Sequence, residues 1–307
     1  MAITTIVDNG VLFSGFGVFR VSRSNIDFLR IQNLAEKPDE VLALAVPFGD
    51  PNVEAVKFTK IGNSYYLTYI IFQMDQDSGY GLILRIGSSQ INKLKNEQLL
   101  AGMKSFLGNK DNLDPLKKES GVRIPIEPVQ KLMKLENVPH LDGIIYTVLI
   151  QAKLFIFGSH EELIHRYRFF QEYFPEGITK HLTFVSQSNS MNENVSVIGL
   201  PSKDEYLKAV QEQTNKIFSV WHLERNKVFA PFTSNTCRRL ADLLEKDKLS
   251  IFKAEFGAFI QLITENSHLQ TIDEIIEELK LDFDDAQLML AVNKALAGGK
   301  VEMDQIS

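Results

Sequence analysis

The chain has 307 residues, with 33 lysines and arginines against 39 aspartates and glutamates, and carries a net charge of −6. Its hydrophobic fraction of 44% and charged fraction of 23% exclude disordered and fibrous classes. Its one cysteine, Cys237, excludes an internal disulfide framework and an all-cysteine metal cage. No apolar run has transmembrane length and the first residues lack a signal-peptide pattern, so we expect a cytoplasmic protein.

The first hundred residues predict an antiparallel sheet followed by a helix. Asn9-Gly10 lies between the β-rich runs 3–7 and 11–21 and predicts a hairpin, because this dipeptide readily adopts the positive φ values of a tight turn. Apolar residues recur at helical spacing from 90 to 106. Further strands are predicted at 41–46, 53–59, 64–73 and 80–86, and the polar loop 74–79 joins the last two as a second hairpin.

Residues 108–139 contain four of the ten prolines, which predicts a linker. Beyond it, short apolar strands alternate with helices, and this alternation predicts an α/β domain with at least some parallel pairing. Helices are predicted after the caps Ser159, Thr233 or Ser234, and Ser250, and also at 203–215. The predicted strands lie at 154–157, 181–185, 195–200, 217–223 and 227–230.

The last segment, 268–307, predicts a module of its own. A short helix opened by Thr271, a second helix through Ala297 and a strand at 300–303 give the outline of a winged helix truncated before its wing. Residues 271–307 hold nine acidic and three basic residues, while the rest of the chain is neutral. A helix that reads DNA needs lysines and arginines to neutralise phosphates, so this module favours a protein partner over nucleic acid.

Three motifs resemble chemical sites but have simpler explanations. His160 and His165 are five residues apart, whereas a helical zinc motif needs four. Gly298-Gly299-Lys300 precedes a predicted strand, whereas a phosphate-binding loop precedes a helix. Cys237 lies before two arginines at a helix start, which would lower a thiol pKa, but we favour an unreactive packing residue. We therefore predict no catalytic, cofactor-binding or metal-binding residues and no chemical catalysis by the chain.

Two stretches resemble the DENN module family. The first resembles its longin-type half, in which a strand ends in a polar hairpin tip and returns through a Tyr-Gly-hydrophobic-Arg run; it comprises residues 41–49, 66–72 and 80–85. The second is similar to the core half, in which a helix runs into an apolar strand, then a helix, a Phe-Pro turn and an Ile-Gly signature; it comprises residues 145–159, 174–175, 181–184 and 197–201. The order and spacing fit over about residues 10 to 265.

The resemblance implies a protein that binds Ras-like small GTPases. Some family members are guanine-nucleotide exchange factors for Rab-type GTPases, and the folliculin and nitrogen-permease-regulator branch acts on Rag-type GTPases. Members of that branch that activate GTP hydrolysis present an arginine finger from the longin hairpin region. The matching loop, 74–80, has no arginine, and Arg85 lies inside the following strand, which argues against GTPase activation.

We therefore expect a fold of class α+β and α/β. It comprises a longin-like antiparallel sheet with helices at 1–107, a linker at 108–139, a DENN-like α/β domain at 140–267 and a winged-helix-like module at 268–307. The longin-like domain is expected to form a homo- or heterodimer, and a partner is expected to recruit the protein to membranes.

The predicted function is binding of a Rab-, Rag- or Ras-like small GTPase, as an exchange factor or scaffold. Exchange needs no acid, base, metal or cofactor from this chain, but a surface that stabilises the nucleotide-free partner. Candidate partner contacts are Asp75, Asp77 and Tyr80, for which a solvated turn is the simpler explanation. A nucleic-acid-binding or transcription regulator that uses the winged helix, and a metal-free enzyme of unrecognised type, stay open as alternatives.

Overall fold

The chain is a mixed α+β protein that forms two compact units. The first unit comprises Met1–Lys131 and Thr183–Val195, and the second comprises Leu132–Leu182 and Ser196–Ser307. The structure, a computed structural model, describes residues 4–7, 10–22, 25–34, 38–45, 54–73, 78–87, 96–109, 112–113, 120–126, 138–179, 182–191, 194–203, 208, 210 and 218–298.

The described residues form strands and helices that we number in chain order. The strands are β1 (Thr4–Val7), β2 (Gly10–Phe13), β3 (Phe16–Ser22), β4 (Ile26–Gln32), β5 (Ala55–Ile61), β6 (Ser64–Gln73), β7 (Ser78–Ile86), β8 (Val122–Pro125), β9 (Lys153–Phe157), β10 (Phe184–Val185), β11 (Val197–Leu200), β12 (Phe218–His222) and β13 (Lys227–Phe229). The helices are α1 (Pro38–Ala45), α2 (Asn96–Gly108), α3 (Leu141–Leu149), α4 (His160–Tyr173), α5 (Glu176–Thr179), α6 (Asn235–Glu245), α7 (Leu249–Glu265), α8 (Ile272–Leu279) and α9 (Phe283–Leu296).

The first unit is built on an antiparallel sheet in the order β10-β5-β6-β7-β3-β4. β1, β2 and β8 form a second antiparallel sheet. Both predicted hairpins are confirmed, because Val7 pairs with Gly10 and Gln73 pairs with Ser78. The single strand predicted at 11–21 is instead two strands, because β2 pairs with β8 whereas β3 pairs with β7.

The strand predicted at 41–46 is wrong, because residues 41–45 belong to helix α1, and Val46 lies outside the described residues. The helix begins at Pro38, a residue whose fixed φ suits a first helical position, and two acidic residues follow in its first turn. Its apolar residues also follow a helical period, since one face of the helix is buried at Val41, Leu44 and Ala45 while Leu42 and Ala43 are exposed.

Two helices pack against the centre of the first sheet, since α1 and α2 both contact β6 and β7. Helix α2 also lies directly against β8. A Cβ added at Gly102 in α2 would lie 1.9 Å from the carbonyl oxygen of Pro125, so only glycine allows this approach. β8 lies inside the segment 108–139 that the sequence predicted as a linker.

The second unit contains a mixed sheet in the order β13-β12-β9-β11. β9 runs parallel to both β11 and β12, which confirms the predicted parallel pairing, and β13 is antiparallel to β12. Every residue of β11 and β12 is buried, as expected for parallel strands covered on both faces. Helix α3 packs against β9, β12 and α6, and its residues are buried along almost its whole length.

The helix caps confirm most of the predicted starts. Ser159, Ser234 and Thr271 accept hydrogen bonds from backbone N–H groups at the starts of α4, α6 and α8. The predicted cap at Ser250 is wrong, because α7 begins at Leu249 and Ser250 lies within its first turn.

Helices α8 and α9 confirm the two helices predicted after Thr271. Helix α9 packs against α8, α7, α6 and α3. The predicted strand at 300–303 lies outside the described residues, as does most of the predicted helix at 203–215.

Candidate functional site

The predicted contact residues Asp75 and Asp77 lie outside the described residues, whereas Tyr80 lies in β7 and is half-buried. On one side, Tyr80 pairs with Arg20 of β3, and on the other with Ile71 of β6. Arg20 also pairs with Asp27 of the neighbouring strand β4. Tyr80 is therefore one member of a row that crosses four strands next to the predicted hairpin tip.

We call Asp27, Arg20, Tyr80 and Ile71 the Arg20 row. Directly paired residues in antiparallel strands place their side chains on the same face of the sheet, so these four side chains are neighbours on one face. Asp27 and Arg20 are exposed, while Tyr80 and Ile71 are half-buried. The row offers solvent a guanidinium, a carboxylate, a phenol and an aliphatic group, and arginine and tyrosine are enriched in protein interfaces.

A close contact on the opposite face fixes β3 against β7 beside this row. Phe19 pairs with Gly81, and a Cβ added at Gly81 would lie 2.0 Å from the Phe19 ring. The ring therefore lies over the glycine backbone, where it is fully buried. Because Phe19 and Gly81 adjoin Arg20 and Tyr80 in sequence, this contact holds the Arg20 and Tyr80 side chains in register.

The sequence did not single out Arg20 or Asp27. Each lies in a short β-rich run, and nothing local tells which residue of one strand faces which residue of another. The loop 74–80 contains no arginine, and the arginine next to Tyr80 comes from a strand about sixty residues earlier in the chain. Only the strand order reveals this neighbour.

A cavity in the second unit lies beside the β12–β13 hairpin and has a volume of about 480 Å³. The cavity is lined by alternate residues of β12, namely Phe218, Val220 and His222, and by Phe229, which is 57% exposed. The His222 ring stacks on Phe157 with ring centroids 5.7 Å apart. The volume of this cavity is in the range of small-ligand sites, and the cavity lining is mainly apolar and aromatic.

The acidic residues at the start of α9 have structural partners. Asp282 caps α9 by accepting from the backbone N–H of Asp285 at 2.9 Å, and it also accepts from the Asn235 amide at 2.7 Å. These two hydrogen bonds, the backbone one foremost, lower the pKa of Asp282. Asp285 is 7% exposed and accepts from the Thr236 backbone N–H. The carboxylates thus stabilise the starts of two helices.

The structure supports the simpler reading of Cys237. Its side chain is fully buried, and this burial raises the pKa of the thiol to about 12, so the thiol is protonated at neutral pH. Trp221 is also buried in the core. Among the described residues, no group of three or more histidine, cysteine, aspartate or glutamate side chains is arranged to hold a metal ion.

In the part of the chain that the structure describes, no helix combines the length and apolar character needed to cross a membrane. No family model matches the sequence, and a comparison with curated proteins finds no match.

Proposed function

We propose that the protein binds a Ras-like small GTPase of the Rab, Rag or Ras type and regulates it, as a guanine-nucleotide exchange factor or as a scaffold. One observation carries the proposal, namely the order of the elements. An antiparallel sheet with helices comes first, followed by helix α3, the apolar strand β9, helix α4 and a parallel strand that contains Ile198-Gly199. This is the order that the resemblance to longin and DENN modules implies.

Under this proposal, residues 1–107 act as the longin-like domain, 140–267 as the DENN-like domain and 268–307 as the winged-helix-like module. The protein works in the cytoplasm and reaches membranes through its GTPase. The longin-like domain forms a homo- or heterodimer, which light scattering of the full chain tests directly.

The Arg20 row is the contact surface that we assign to the GTPase. It includes the predicted contact Tyr80 on paired strands, where the contact between Phe19 and Gly81 maintains its geometry, and Asp75 and Asp77 stay predicted contacts. Arg20 and Tyr80 provide a charged group and a rigid ring side by side, and these residue types carry much of the energy in protein interfaces. Loop residues alone would lose more conformational entropy on binding.

This surface acts by binding the GTPase, and its selectivity for one nucleotide state decides which function it has. An exchange factor binds the nucleotide-free form of its partner more tightly than the loaded form, and this difference in affinity shifts the partner toward nucleotide release. A scaffold binds its partner without that preference. The two functions are therefore distinguished by the affinity for each nucleotide state.

The experiment is a pull-down of small GTPases from the same organism by the full chain, with each GTPase nucleotide-free, GDP-loaded and GTP-loaded. Nucleotide-release kinetics then follow for each retained GTPase. Preference for the nucleotide-free form together with faster release indicates an exchange factor, and retention without faster release indicates a scaffold. If no GTPase is retained in any state, the proposal is wrong.

A further inference from the structure

The cavity beside the β12–β13 hairpin has an apolar end and a basic end. Phe218, Val220 and His222 alternate along β12, so their side chains lie on one face of the sheet. Phe229 of β13 pairs with Val220, and this pairing places the Phe229 ring on the same face. Lys227 pairs with His222 in the same way. Along the two strands, the face therefore changes from aromatic and aliphatic groups to a histidine and a lysine.

The apolar end leaves an aromatic ring exposed to solvent. Phe229 is 57% exposed, and its ring centroid lies 6.1 Å from that of the buried Phe218. Phe218 in turn contacts Phe155 of β9, with ring centroids 5.9 Å apart. The exposed ring is thus the outer member of an aromatic cluster that continues into the core. An exposed aromatic ring at a cavity of about 480 Å³ is typical of a ligand-binding site.

The basic end lies at the turn that joins β12 to β13. Arg225 in the turn and Lys227 at the start of β13 both line the cavity, and both are exposed. The described residues that line the cavity include no acidic side chain, since Glu224 of the same turn is not among them. A cleft lined by charges of one sign concentrates ligands of the opposite sign. This end of the cavity therefore favours an anionic group.

Hydrogen bonds hold this turn in place. The backbone N–H of Arg225 donates to Nδ1 of His222 at 3.4 Å, and the backbone N–H of Asn226 donates to the carbonyl oxygen of Leu223 at 3.1 Å. The His222 ring is buried and stacks on Phe157. The backbone that carries Arg225 is thus anchored to a buried ring, so binding a ligand at the turn requires less ordering of the chain.

The basic end also lies at the carboxyl ends of two parallel strands. β9 and β12 run parallel, and Phe157 and His222, the last residues of these strands, pair with each other. In open α/β sheets, ligands bind outside the carboxyl ends of the strands. The position of Arg225 and Lys227 in the sheet therefore agrees with their charge in favouring a ligand head group there.

We infer that this cavity binds a small amphipathic anion, in which an apolar body carries one anionic head group such as a carboxylate. Phe218 and His222 are four residues apart in a strand, so the site extends along roughly 13 Å of β12. The apolar body contacts Phe218 and Phe229, and the head group meets Arg225 and Lys227. This inference does not depend on the proposed GTPase partner or on the Arg20 row.

The test measures the binding of decanoate to the full chain by isothermal titration calorimetry. Decanol and decylammonium are the matched ligands, because they have the same chain length with no charge and with the opposite charge. We expect saturable binding of decanoate, an affinity for decanol that is lower by about tenfold or more, and no binding of decylammonium. We also expect weaker binding of decanoate at high salt, because the two cations are exposed.

Two pairs of variants locate the binding site. Phe229→Ser removes the exposed ring from the cavity, whereas Phe283→Ser removes a similarly exposed ring from α9, outside the cavity lining. Lys227→Glu reverses a charge in the cavity, whereas Lys280→Glu reverses an exposed charge directly after α8. We expect each cavity variant to weaken decanoate binding about tenfold or more, and each control to leave it unchanged. All four side chains are exposed, so all four variants are expected to fold, which thermal unfolding checks.

The inference is wrong if decanoate fails to bind, or if decanol binds as tightly as decanoate. It is also wrong if the cavity variants bind decanoate as the wild type does, or if the controls lose as much affinity as the cavity variants. Self-association of the full chain that Phe229→Ser abolishes would assign the cavity to a second copy of the chain, and would also overturn it. Failure of these tests leaves the GTPase proposal untouched, because that proposal is tested with other partners and other residues.

Discussion

The backbone N–H of Thr236 donates a hydrogen bond to the Asp285 carboxylate at 2.9 Å, so the start of α9 provides an acceptor for the start of α6. Asp285 is at the same time held by its own helix, because its backbone N–H donates to Asp282. The acidic residues at the start of α9 therefore fall into two groups. The buried carboxylate of Asp285 joins two helices, whereas Asp282 and Asp284 beside it are exposed.

We expect Asp285→Ala to lower the free energy of unfolding by about 1–3 kcal/mol, because it leaves a helix N–H without its buried acceptor. Urea denaturation of the full chain measures this. Asp284→Ala is the matched control, since Asp284 is the neighbouring acidic residue in the same helical turn and is exposed. Equal losses in the two variants would show that general charge at the start of the helix, and not this hydrogen bond, stabilises the contact.

The pH dependence of stability follows from Asp282. Its pKa in the folded protein lies below the ordinary value of about 3.9. At a pH above this ordinary pKa, the ionised carboxylate therefore stabilises the folded state. This stabilisation is lost as the pH falls through the lower pKa of the folded protein. We expect the urea midpoints of wild type and Asp282→Asn to differ most near neutral pH and to converge below about pH 4. A difference that does not change with pH would contradict this.

Cys237 provides a direct probe of the core of the second unit. Because burial raises the pKa of its thiol to about 12 and removes it from solvent, we expect no reaction with a thiol reagent at pH 8 in the folded protein. Labelling should follow the fraction unfolded as urea is added. Rapid labelling of the folded protein would show that this thiol is accessible and that helix α6 opens locally.

The contact between Phe19 and Gly81 predicts a large effect from one methyl group. Gly81→Ala places a Cβ 2.0 Å from the Phe19 ring, so the ring or the strand must move, and we expect a loss of about 1–3 kcal/mol in stability. The control is Gly257→Ala in helix α7, where a Cβ meets nothing within 4 Å. There we expect a gain of about 0.5–1 kcal/mol from helix propensity. Similar effects of the two changes would argue against the close contact.

The sequence predicted elements where one local signal dominates. The strand at 64–73 is confirmed at both ends, because its aromatic and β-branched residues suit a pleated surface over its whole length. Ser159 and Thr271 were correct as caps, because each is followed three residues later by a glutamate that completes a capping box. These patterns need no knowledge of distant residues.

The elements and neighbours that could not be predicted depend on contacts between residues far apart in sequence. The apolar run 41–46 suits a strand or a helix, and burial of only one helical face in the folded unit distinguishes the two. The break between β2 and β3 exists because the two strands join different sheets. For the same reason Arg20 was not predicted as a neighbour of Tyr80, since strand order cannot be read from either strand alone.

The most direct test of the proposed function is the affinity of the full chain for a nucleotide-free small GTPase that the pull-down retains. We compare wild type with Arg20→Glu, which reverses the charge in the Arg20 row, and with Lys60→Glu, which reverses an exposed charge on β5 of the same sheet. We predict a loss of about tenfold or more for Arg20→Glu and an unchanged affinity for Lys60→Glu. Equal affinities for wild type and Arg20→Glu would contradict the assigned surface, and no binding of any GTPase would contradict the function.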